Sequence, residues 1–121
     1  EWQPAAKNAF SLLAFKAIDG DKQADITVSS AGGDWLSNVN RWRGQIGLPP
    51  ASAAENKTAT KAIETLGGQG EYIELVSRDT ILGVRVEAGG QTWFIKLKGE
   101  ASLAAREKER FEAFVKSLQL P

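Results

Sequence analysis

Apolar and polar residues change their spacing several times along the chain, and each change marks an element. Residues 9–18 are apolar at adjacent as well as alternate positions, broken only by Ser11 and Lys16. That is the pattern of a central strand covered on both faces. Asp19-Gly20-Asp21 supplies residues that tolerate a tight hairpin turn, and Ala24, Ile26 and Val28 then alternate with Asp25, Thr27 and Ser29. A second strand, antiparallel to the first, is predicted there.

Beyond Gly32-Gly33 the period lengthens to that of a helix. Trp35, Leu36, Val39, Trp42 and Ile46 fall in one stripe, with Ser37, Arg41 and Gly44 on the opposite side. Asp34 is placed to cap its start, and Gly47 with Pro49-Pro50 to stop it. Residues 51–60 are small, polar and Ala-rich, which predicts a surface connection with room for a short helical turn at 53–57. Four strand-like runs follow, at 61–66, 71–77, 81–87 and 92–98, separated by Gly67-Gly68-Gln69-Gly70, the short Arg78-Asp79-Thr80 and Ala88-Gly89-Gly90-Gln91, a meander. Residues 101–118 close the chain as a helix with Leu103, Ala104, Phe111, Phe114, Val115 and Leu118 on one face. The lead-in, residues 1–7, reads as irregular.

The predicted order is ββαββββα. This is an α+β chain whose largely antiparallel six-stranded sheet is flanked by helices, in one domain over residues 1–121. A length of 121 residues suits a single core of ordinary composition.

Charge and the missing residue types narrow the chemistry. Lys plus Arg equals Asp plus Glu at 15 each, so no net field draws the chain to nucleic acid or an anionic membrane. Without Cys there are no disulfides or thiolate nucleophiles, and without His the commonest general base and metal ligand is gone. No apolar run is long enough to span a membrane. The chain begins at Glu1 and not at Met, which is read as a processed form or a segment of a longer, exported or lipid-anchored protein, with an extracytoplasmic location expected.

The strings Asn38-Val39-Asn40-Arg41-Trp42-Arg43, Gln45 and Gly47-Leu48-Pro49, together with Gly32-Gly33, Thr92-Trp93-Phe94-Ile95-Lys96, Gly99, Phe111, Phe114 and Ser117, resemble a group of uncharacterised bacterial proteins of the PsbP and Mog fold. That resemblance implies an antiparallel sheet sandwiched by helices, and binding as the mode of action. PsbP is an extrinsic photosystem subunit and Mog binds the Ran GTPase. Neither set of functional residues transfers to positions of this chain.

Individual motifs are modest. Asp19, Asp21 and Asp25 lack the alternate spacing and distant bidentate Glu of a calcium loop, so a hairpin turn is the better reading. Gly32-Gly33 precedes a helix, but no phosphate-loop pattern is present and Asp34 already sets a carboxylate at the helix start. Trp35, Trp42 and Trp93 are expected in the core, and Trp2 has no assigned role. Arg43 leans toward the apolar stripe while Arg41 faces away, and Glu107 falls on the apolar face of the last helix. Each of these two off-pattern charges, Arg43 and Glu107, either snorkels to water or is partly buried with a partner.

Two functions follow. The first is a non-catalytic protein-binding or accessory domain, engaging a partner through a sheet face or residues 48–60, with no catalytic residues, cofactor or metal. The second is a small domain, ligand-binding or enzymatic, with a pocket near the first helix where Asn38, Asn40, Arg41 and Arg43 hold an anionic group, because arginine forks suit carboxylates and phosphates.

Overall fold

The computed structural model describes residues 2–5 and 11–120, Ser11 by its backbone alone. The strand begun at residue 9 by the sequence pattern therefore starts outside the described residues. It continues as β2 (Ser11–Asp19), preceded by a two-residue strand β1 (Gln3–Pro4), and returns through Gly20 as β3 (Lys22–Ser30). Gly20 sits at φ 64°, in the left-handed region. A β-branched side chain resists that backbone, so Gly20→Val is expected to lose about 1–2 kcal/mol in a denaturant melt, with no recovery on adding calcium.

Two helices, α1 (Trp35–Gln45) and α2 (Ala53–Ala59), then lead to β4 (Lys61–Thr65), β5 (Gly68–Val76), β6 (Asp79–Ala88), β7 (Gln91–Glu100) and α3 (Ala101–Ser117). The sheet has seven strands and not the six expected, in the order β1-β2-β3-β7-β6-β5-β4, and every pairing is antiparallel. The added strand, β1, comes from the lead-in taken as irregular. The short helical turn expected at 53–57 is there as α2, two residues longer, and opens with a capping box in which Ser52 and Glu55 satisfy each other's backbone N–H groups.

One connection decides the layout. From β3 in the middle of the sheet the chain passes through α1 and α2 to the far edge, β4, and the meander then works back until β7 pairs with β3. The crossing lays α1 over β5, β6 and β7 on one face, where Val39, Trp42 and Ile46 pack with Ile73, Leu75, Ile81 and Phe94. On the other face α3 covers the larger core, including Ile26, Val28, Val84, Ile95, Leu97, Leu103 and Phe111. β6 is buried at consecutive positions from Thr80 to Val84, as a strand sandwiched between two layers must be.

This corrects the reading of β2 as a central strand covered on both faces. It is the penultimate strand; Phe15 and Ala17 join the α3-side core, whereas Ile18 is 46% exposed. Trp42 and Trp93 are buried as expected, and Trp35 is partly so.

Trp2 finds its role at the α3 face. Its ring meets Phe114 edge-on at 5.2 Å and Phe15 at 6.2 Å, and its indole N–H donates to Glu107 Oε1 at 2.8 Å. Glu107, 3% exposed, also accepts from Arg106 Nε and Arg110 Nη1 at 3.1 Å each, so it is buried and paired. Burial alone would push its carboxyl up, but the three donors outweigh it and hold the group below the usual carboxylate range.

Candidate functional site

Asp34 caps α1 as predicted, accepting from the Ser37 N–H, and those bonds lower its carboxyl. The buried side of α1 holds Asn38, Val39 and Trp42, with Ile46 beyond its end. Leu36 lies at its margin. The apolar stripe drawn from the sequence was therefore turned too far toward Leu36, and the two arginines flank the buried side instead of one leaning in and the other pointing away.

Asn38, Asn40, Arg41 and Arg43 do not converge. Asn40 and Arg43 are turned to the loop after the helix: Asn40 Nδ2 donates to the Ala51 carbonyl at 3.2 Å, its Oδ1 accepts from the Ala51 N–H at 2.8 Å, and Arg43 Nε donates to the Pro49 carbonyl at 2.6 Å. These bonds set the path of the chain toward α2. Asn38, 2% exposed, donates to the Asp34 carbonyl at 2.8 Å and accepts from Arg41 Nη2 at 2.7 Å. Arg41 is thereby drawn to the sheet side of the helix while staying exposed.

There it meets residues that the four-residue anion site did not include. Because α1 covers only part of its face, the other part of the sheet is open, and a groove of about 460 Å³ runs along the step. Its floor is the polar face of the β3–β7 pair, in register as Ser29 opposite Phe94, Thr27 opposite Lys96 and Asp25 opposite Lys98. Arg41, Trp42 and Gln45 form the helix wall.

Lys96 stands at the centre. Its ammonium donates to Gln45 Oε1 at 2.8 Å, a neutral partner. Burial, and behind it the like charges of Lys98 and Arg41, push its pKa down to about 8. Elsewhere the lysines and arginines are often matched: Lys22 with Glu100, Arg85 with Glu71 and Glu87, Arg106 with Asp19 and Glu107, Lys108 with Glu74. Among the described residues no carboxylate lies within ion-pair distance of Arg41, Lys96 or Lys98, and Asp25, the one acid in the groove, accepts from Gln23 Nε2 at 2.8 Å.

Three cations, two hydroxyls and two aromatic rings thus share one concavity. Such a set can hold a carboxylate or phosphate oxygen against ammonium and guanidinium donors. The signal in the sequence was the polar half of each alternating strand, Asp25-Thr27-Ser29 and Lys96-Lys98, but nothing local says that these two strands are neighbours.

Among the described residues no three His, Cys, Asp or Glu side chains group to hold a metal ion, and no helix is long and apolar enough to cross a membrane. No model of a known protein family matches the chain, and no curated protein sequence matches it.

Proposed function

We propose that the chain is a non-catalytic binding domain that takes an anionic group of a partner or ligand in the groove between α1 and the open part of the sheet. The observation that carries this reading is the half-buried Lys96, flanked by Arg41 and Lys98, with no carboxylate among the described residues bonded to any of the three. Burying a cation without a counter-charge is unfavourable, and a bound anion would offset that cost. The pairing of Asn40 and Arg43 with the 49–51 loop removes them from the ligand set, leaving Arg41 as the arginine that reaches it.

The same proposal includes a place among PsbP- and Mog-like sheet-and-helix domains, supported by the Asn38-to-Arg43 string and by helices on both faces of an antiparallel sheet. It also includes membership of an exported or lipid-anchored protein and a protein as the partner. Fractionation of the source cells tests the compartment, and recovery of the full-length protein chiefly in the cytosol would overturn that part.

Inorganic phosphate and succinate are the probes for the groove. Titrated into the labelled protein and followed by NMR, at least one should shift Thr27, Ser29 and Lys96 saturably. Lys96→Gln should weaken binding about tenfold or more, and Arg43→Ala should leave it unchanged. Binding also lowers the cost of protonating Lys96, so affinity should be highest below pH 8. It should fall by up to about tenfold per pH unit as pH rises through the free-state pKa of about 8. Absence of saturable shifts with both probes, or an Arg43→Ala loss equal to that of Lys96→Gln, would overturn the assignment.

A further inference from the structure

The groove beside α1 holds an amine as well as a set of positive charges. Lys96 Nζ donates to Gln45 Oε1 at 2.8 Å, in a bond that solvent reaches. On β7, Lys98 is two residues along and shares the same face, while across the ladder Thr27 stands opposite Lys96 and Asp25 opposite Lys98. On the other side β6 sets Gly83 opposite Lys96 and Ile81 opposite Lys98, neither of them charged, and its Arg85 is engaged by Glu71 and Glu87. Arg41 lines the same groove from the helix wall, with Nη2 donating to Asn38 Oδ1.

These surroundings disfavour the positive form of the amine. Protonated, Nζ adds a third positive charge to those of Arg41 and Lys98, and Asp25, the one acid of the groove, is bonded to Gln23. With its pKa brought down to about 8, about a tenth of the amine is neutral at pH 7. A neutral lysine amine is a nucleophile. Turned into an anion, the same side chain would meet two cations and the hydroxyls of Thr27 and Ser29, all donors. Gln45 suits either state: its Oε1 accepts from the ammonium, and its Nε2 can donate to an anion once the amide turns over.

Carbon dioxide makes that change in a single addition. The nitrogen lone pair attacks its carbon and forms an N–C bond, one C–O π pair passes to oxygen, and a proton leaves the nitrogen for solvent. The product is a carbamate with one negative charge. No oxidant, reductant or leaving group takes part, and the return of the proton reverses the step.

We propose that Lys96 is a site of reversible modification by carbon dioxide, whose carbamate is held by Arg41, Lys98 and the Thr27 and Ser29 hydroxyls. The inference rests on the groove being an anion site and adds its regulation. The carbamate supplies the anion from within, so it competes with an outside anion for the same donors.

The test equilibrates the whole chain with isotopically labelled carbon dioxide near neutral pH, traps the adduct by alkylation with triethyloxonium, and locates the trapped carbamate by mass spectrometry. Lys96 should carry about tenfold more label than Lys61 or Lys116. At a fixed carbon dioxide pressure its label should rise steeply as pH rises through about 8, because the protonated amine has no lone pair to give. Arg41→Gln and Lys98→Gln should each lower the label at Lys96 about threefold or more, since each removes a donor to the carbamate and a like charge that disfavours the ammonium. Lys98→Gln decides the matter if Arg41→Gln, through its bond to Asn38, fails to fold. Label spread evenly over the lysines, no label at Lys96, or unchanged label in Lys98→Gln would each overturn the proposal. Phosphate and succinate titrations run free of carbon dioxide separate it from the reading beneath it. Saturable shifts without trapped label would sink the carbamate and leave the anion groove standing, whereas label at Lys96 without such shifts would support the carbamate and remove the outside ligand.

Discussion

Trp42→Ala is expected to lose about 3–5 kcal/mol of stability, the largest single-residue effect in the α1 layer. The side chain is 2% exposed and lies between Trp35 and Phe94, meeting both edge-on at 5.7 and 5.8 Å. Beneath it the sheet has been thinned to make room. A Cβ placed on Gly83 would come within 2.3 Å of the Trp42 ring, so β6 carries a glycine where a strand would ordinarily carry a side chain. The alanine variant therefore leaves a void on a floor that has no side chain to fill it, and collapse is limited to movement of the helix. Urea melts of Trp42→Ala, Gly83→Ala and the double variant would measure the fit. Gly83→Ala alone should be destabilising through overpacking, by about 1–3 kcal/mol, and should cost much less in the Trp42→Ala background. Additive losses would mean that the ring and the glycine do not meet.

The second large effect concerns Glu107. Glu107→Ala is expected to cost about 2–4 kcal/mol, since it removes an acceptor that serves the Trp2 indole and two arginines at once and leaves a gap under the first residues. Arg106 and Arg110 have side chains 50% and 54% exposed, so both rehydrate when freed and the loss stays below that for stranding a buried charge. The pH dependence has a definite sign. With its folded pKa lowered, Glu107 contributes stability that is fully present above the unfolded carboxylate value of about 4.3, and that is lost as pH falls through the folded value. Wild type should thus lose stability in acid more steeply than Glu107→Gln. Parallel acid limbs for the two proteins would remove the carboxylate from this account.

These residues show what the chain's linear pattern contains and what it does not. Asp34 and Gly20 were legible because caps and turns are set by their own side chains and backbone. Trp93, Ile95 and Leu97 were legible as one strand face, and Phe111 and Val115 as one helix face, because a two- or 3.6-residue period is local. Strand order is not local. Nothing near Lys96 says that Thr27 lies opposite it, so the groove was out of reach although its residues were plainly polar. The phase of α1 failed for a related reason: Asn38 is buried by bonds to backbone carbonyls, and a reading that places only apolar residues inside turns the helix toward Leu36. For α2 a helical turn at 53–57 was legible, and Ser52 and Glu55 stand three apart at its start, but a seven-residue helix carries too short a hydrophobic pattern to show its full extent.

The Trp2 contact, finally, bears on how the molecule can be handled. Trp2 and Leu120 both pack on the α3 side of the sheet, with Phe114 and Leu118 around them, while the Lys96 groove opens on the side of α1. Trp2 and Leu120 therefore lie at the back of the domain relative to its cationic front. Held on a bead or sensor chip through a residue on the α3 side, the domain would turn that front toward the solution.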